Sequence, residues 1–92
     1  MSEAAIIVDH DASKIVVNGN PHDAELPWCS IVQSLIDADG DYVTGPAMNN
    51  LKGCRGKKIS NVIKAMESAI PDLTAYVLHE GNKGYRLLKS PK

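Results

Sequence analysis

Ile59-Ser60-Asn61-Val62-Ile63-Lys64-Ala65-Met66-Glu67-Ser68-Ala69-Ile70-Pro71 is the stretch on which the fold turns. Ile59, Val62, Ile63, Met66 and Ile70 recur at i, i+3, i+4, i+7 and i+11, the period of a helix with one buried face. Pro71 ends it, because proline has no N–H to continue the ladder. The opposite arc is Lys57, Asn61, Lys64 and Ser68, which holds no acid; Glu67 lies on the flank.

Upstream, Gly53-Cys54-Arg55-Gly56 reads as a tight turn into this helix. Before it, residues 44–52 read as a short helix, with Thr44 as N-cap ahead of Pro46, Met48 and Leu51 facing inward, and Gly53 as the stop. A further helix starts at Pro27. Trp28, Ile31, Val32, Leu35 and Ile36 form its apolar stripe, Ser30, Gln33 and Asp37 lie opposite, and Asp39-Gly40 ends it. Downstream, residues 73–88 read as two strands around Glu80-Gly81-Asn82-Lys83-Gly84, a stretch rich in turn formers.

The first quarter has a different period. Ala4-Ala5-Ile6-Ile7-Val8 and Lys14-Ile15-Val16-Val17 are short apolar, β-branched runs, and the second ends at Asn18-Gly19, a strong hairpin signal. Asn20 to Ala24 adds a third strand, which Pro21 confines to an edge. The order is sheet, helix, helix, helix, hairpin. That order predicts an α+β winged helix-turn-helix with a small N-terminal antiparallel sheet, three helices and a C-terminal β-hairpin wing. The expectation is one domain over residues 1–92, with the sheet in 1–25, the three-helix core in 26–71 and the wing in 72–89.

At 92 residues, 43% apolar and 23% charged, the chain has the composition of a globular domain rather than a disordered one. Its longest apolar run, Ala4 to Val8, is far short of a membrane helix. Met1-Ser2-Glu3 lacks the basic start of a secretion signal, so a cytoplasmic location and reduced cysteines are expected. The net charge of −1 hides an asymmetry: residues 1–41 carry eight acids against Lys14, whereas residues 42–92 carry nine bases against Glu67, Asp72 and Glu80. Such a split fits a molecule whose basic side meets a polyanion, or two charged patches that keep the protein in solution.

The layout resembles the OmpR-type effector domain, the DNA-binding half of many bacterial response regulators. Ile6-Ile7-Val8-Asp9 through Ile15-Val16-Val17-Asn18-Gly19 is similar to that family's opening sheet, and Tyr42-Val43-Thr44 falls where it has a short strand before the second helix. Gly84-Tyr85-Arg86-Leu87 looks like the end of its wing and is the most specific match. The chain departs from the family at Val77-Leu78-His79-Glu80-Gly81-Asn82, where the family's wing usually has a Thr-Val-Arg-Gly run. The loop between the second and third helices reads as very short, which removes a surface that some relatives offer to RNA polymerase. With no receiver domain in these 92 residues, the family's control by phosphorylation is not carried over.

In a helix-turn-helix the second helix of the pair enters the major groove. Here that is the third helix, where Asn61 suits an adenine edge and Lys57 and Lys64 suit guanine acceptors or phosphates. Ser60 suits a phosphate, Arg55 and Lys58 stand near the helix N-terminus, and Lys83 and Arg86 of the wing suit the flanking backbone or minor groove. The plainer reading of the same residues is a solvated helix face and a charged turn.

The expected partner is double-stranded DNA, with RNA polymerase or another regulator protein as a second one. The alternative is a winged helix used as a protein-interaction module through its acidic N-terminal face, without DNA binding. His10, His22 and His79 have no metal-ligand spacing, and Asp37, Asp39 and Asp41 lack the remaining ligands of a calcium loop. Cys29 reads as a small core residue. Cys54, between basic residues, is either inert or a thiol of lowered pKa. Trp28 and Tyr85 read as core anchors in a chain with four aromatic residues. No nucleophile–base arrangement or phosphate loop is visible, so no enzyme activity, cofactor or metal is expected.

Overall fold

The computed structural model of the chain describes residues 6–88. Ala4 and Ala5 of the first apolar run, and Lys89 at the expected end of the wing, lie outside the described residues.

Three antiparallel strands, β1 (Ile6–Asp9), β2 (Lys14–Val17) and β3 (Asn20–Asp23), form a sheet in the order β1-β2-β3. Side chains alternate across a strand, so Ile6, Ile15 and Val17 point into the core while Ile7, Val16 and Pro21 line up on the outer face. Asn18 and Gly19 make the two-residue turn between β2 and β3, both at positive φ (50° and 84°). Pro21 lies on the edge strand, where no ladder donor is needed from it. The Asn18 amide donates to the Tyr76 hydroxyl at 3.0 Å, and so ties this turn to the residue before the wing.

Helix α1 (Leu26–Asp37) carries Pro27 in its first turn and buries Cys29, Ile31, Val32 and Leu35. It ends through Asp39 and Gly40, both at positive φ. Helix α2 (Gly45–Met48) is capped by Thr44, whose hydroxyl accepts from the Ala47 N–H at 3.3 Å.

Here the chain differs from the helix expected over residues 44–52. After Met48 the amides of Asn50 and Leu51 reach back only three residues, to Ala47 and Met48. The Asn49 side chain takes the Gly45 carbonyl, local bonding that draws asparagine out of helices. The connection to the next helix therefore runs over residues 49–58 and is longer than the four-residue turn expected from Gly53-Cys54-Arg55-Gly56. Ser30 of α1 donates to the Lys52 carbonyl at 2.8 Å and anchors this loop. The Cys54 thiol, fully buried, lies 3.7 Å from the Pro27 carbonyl.

Helix α3 (Ile59–Ala69) buries Ile59, Ile63 and Met66, with Ile70 packed beneath its end. The next segment, expected to enter a strand at Leu73, instead forms a 3-10 turn over Pro71–Ala75. Pro71 fixes the entry, and the amides of Leu73 and Tyr76 bond three residues back, which turns Leu73 into the core. The wing then consists of β4 (Val77–Glu80) and β5 (Gly84–Leu87), paired from Val77↔Leu87 to Glu80↔Gly84. The core is one cluster of aliphatic, methionine, cysteine and tyrosine side chains drawn from the sheet, the helices and the wing base. No helix among the described residues is long and apolar enough to cross a membrane.

Candidate nucleic-acid interface

Helix α3 turns Ile59, Ile63 and Met66 inward, and the helical period then leaves Asn61, Lys64, Ala65 and Ser68 exposed. Ser60 and Glu67 lie half-buried on the flanks of that face. Lys57, expected on the same arc, stands before the helix: Lys58 is the N-cap residue, and the amides of Asn61 and Val62 bond to its carbonyl. Gly56, at φ 75°, and the bond from the Lys57 amide to the Cys54 carbonyl close a last turn that keeps Lys57 out of the helix. Arg55, Lys57 and Lys58 are thus exposed loop cations beside the α3 N-terminus, where free N–H groups favour an anion.

The wing meets the body of the fold through an isolated bridge between Val43 and Tyr85, with bonds of 2.7 and 2.9 Å between their amides and carbonyls. Gly84 makes this approach possible. Its φ is 103°, and a Cβ there would stand 2.8 Å from the Cα of Thr44. Tyr85 is buried, and its ring stacks on His79 of β4 with centroids 4.3 Å apart. Burial raises the Tyr85 pKa above its ordinary value, and the nearby Glu67 of α3 adds to this.

Antiparallel pairing of Val43 with Tyr85 sets Tyr42 opposite Arg86. The Arg86 guanidinium carbon lies 5.5 Å from the Tyr42 ring centroid, and the Lys83 ammonium lies 5.6 Å from it. Tyr42 is not among the contact residues that the sequence points to. Its place in a strand-like stretch was legible, but which residue it faces depends on the register of a single bridge.

Cys29 and Cys54 are buried, and burial raises both thiols; Lys57 pulls Cys54 the other way but is the smaller effect. Of the two readings open for Cys54, the inert one holds. His10 meets Gln33, His22 faces Asp72 at 3.7 Å, and His79 is taken up by Tyr85. Tyr85 is a core anchor as expected, and Trp28 packs half-buried against the core.

No family model matches the chain, and no curated protein does. Among solved structures, one that is similar is the crystal structure of the response regulator AdeR DNA-binding domain in complex with an intercistronic region. It is 14% identical, with a TM-score of 0.74, over 96% of this chain and 98% of that one. The two share a fold, a winged helix. It is the architecture that the OmpR-type resemblance implied, and it makes α2, the loop 49–58 and α3 the helix-turn-helix of a winged helix whose wing is β4–β5.

Proposed function

We propose that this winged helix binds double-stranded DNA in a sequence-specific way and serves transcription regulation in the bacterial cytoplasm. In this reading α3 enters the major groove. Asn61 and Lys64 face base edges, and Ser60, Arg55, Lys57 and Lys58 contact phosphates around the N-terminus of α3. Lys83 and Arg86 hold the flanking backbone with the wing. No catalytic step belongs to this function.

The observation that carries the reading is the exposed face of α3. Asn61, Lys64 and Ser68 stand outward with no acid among them, on a fold shared with a domain solved on DNA. In this reading the loop 49–58, longer than the sequence implied, is the surface that RNA polymerase or another regulator protein would contact as a second partner.

A second reading, a protein-interaction module, draws on the outer face of the N-terminal sheet. There Ile7, 52% exposed, stands beside Val16 and Pro21 among acidic neighbours. Fluorescence anisotropy of the chain with a labelled mixed-sequence duplex separates the two. Binding at ~50 mM salt, where even non-specific phosphate contacts register, supports the DNA reading. Absence of binding there turns the function toward a protein partner.

A further inference from the structure

Two cations of the wing share one aromatic ring. Lys83 comes from the wing turn and Arg86 from the middle of β5, and each places its charge about the same distance from the centroid of Tyr42, 5.6 and 5.5 Å. Like charges drawn to one place repel one another unless something of opposite sign stands between or beside them. The ion pairs among the described residues are Lys14–Asp23 and His22–Asp72, so neither wing cation is paired with a described carboxylate. What holds them is the negative face of the tyrosine ring, which attracts a cation without cancelling its charge.

The backbone explains why this ring stands there. Gly84 lets β5 come close enough to residues 43 and 44 for the Val43–Tyr85 bridge to form, and that bridge fixes Tyr42 across from Arg86. The arrangement is therefore built by the body of the fold and not by the wing alone. A flexible lysine and arginine lose side-chain freedom when they bind a phosphate, and a ring that already confines both lowers that cost.

We propose that Tyr42 is a positioning residue that gathers Lys83 and Arg86 into one clamp for the phosphate backbone of DNA beside the wing. This rests on the DNA-binding reading above. Tyr42 itself supplies no charge; it sets where the two charges stand.

The test is a set of anisotropy titrations of the full chain on a labelled mixed-sequence duplex, each over a series of salt concentrations. Tyr42→Phe keeps the ring, and its affinity and salt dependence should stay with the wild type. Tyr42→Leu removes the ring and leaves every charge in place. It should bind roughly tenfold more weakly, the loss of about one charge-assisted contact, and its slope of log K against log salt should be shallower by about one unit. In a Lys83→Ala/Arg86→Ala background, Tyr42→Leu should add little, because the groups it positions are gone. Tyr42→Met fills similar space without a ring and carries the comparison where Tyr42→Leu does not fold.

The proposal is overturned if the ringless variants bind with wild-type affinity and slope. It is equally overturned if their loss adds in full to that of the Lys83→Ala/Arg86→Ala chain, since Tyr42 would then act through something other than these cations. Failure of the wild type itself to bind the duplex refutes the DNA-binding reading and the clamp with it.

Discussion

At Gly84 a methyl group has no room. A Cβ would stand 2.8 Å from both the Cα of Thr44 and the carbonyl carbon of Val43, and φ is 103°. These are backbone atoms, which cannot swing aside as a side chain would. Gly84→Ala should therefore cost more than about 1 kcal/mol, with the wing loosened from the Val43 bridge, as a shift in the urea midpoint would report. Gly81 makes the contrast. It belongs to the same turn, yet nothing lies within 4 Å of a Cβ built there, so Gly81→Ala should leave the midpoint nearly unchanged. The Gly-Tyr-Arg-Leu stretch was legible as a motif, but its reason was not: the glycine serves contact with a segment forty residues earlier in the chain. Cys54 shows the reverse case. Its basic neighbours in sequence leave an activated thiol open beside an inert one, and burial against Pro27 decides for the inert one.

Among the elements, α3 was the easiest to read, because its period of buried residues is set by the helix itself. Ile63 is 3% exposed and faces the core at the centre of that helix. Ile63→Ala should destabilise the fold by roughly 2–5 kcal/mol, measured by denaturant unfolding. A loss well below 1 kcal/mol would contradict this burial. The segments misread are those where local hydrogen bonding outweighs apolar spacing. Residues 49–52 carry a helix-compatible Leu51, yet the Asn49 side chain and three-residue bonds unwind them. Residues 71–75 look like a strand entry, but Pro71 and the pull of Leu73 into the core make a 3-10 turn. Strand pairing within each hairpin followed from Asn18-Gly19 and the glycine-rich wing turn. The register of the bridge from Val43 to Tyr85, which joins the wing to the body and places Tyr42, depends on tertiary packing and has no signature in the sequence.

On the scale of the whole molecule, three buried groups among the described residues hold their protons more tightly folded than unfolded. Tyr85, Cys29 and Cys54 all have pKa values raised by burial. Above about pH 9 the unfolded chain releases these protons while the folded chain retains them. Stability is therefore complete below the ordinary thiol and tyrosine values and falls as pH rises through them. The urea midpoint should be lower at pH 10 than at pH 8; an unchanged midpoint would contradict the burial of these groups.

On the same scale, the charge asymmetry of the chain places its excess of bases in the half that holds the helix-turn-helix and the wing. The salt dependence of duplex binding tests this most directly. Four or five phosphate contacts predict a slope of log K against log salt near ~−4 for the wild type, and one about a unit shallower for Lys83→Ala. No binding at ~50 mM salt, or a slope near zero, would contradict a DNA-binding winged helix.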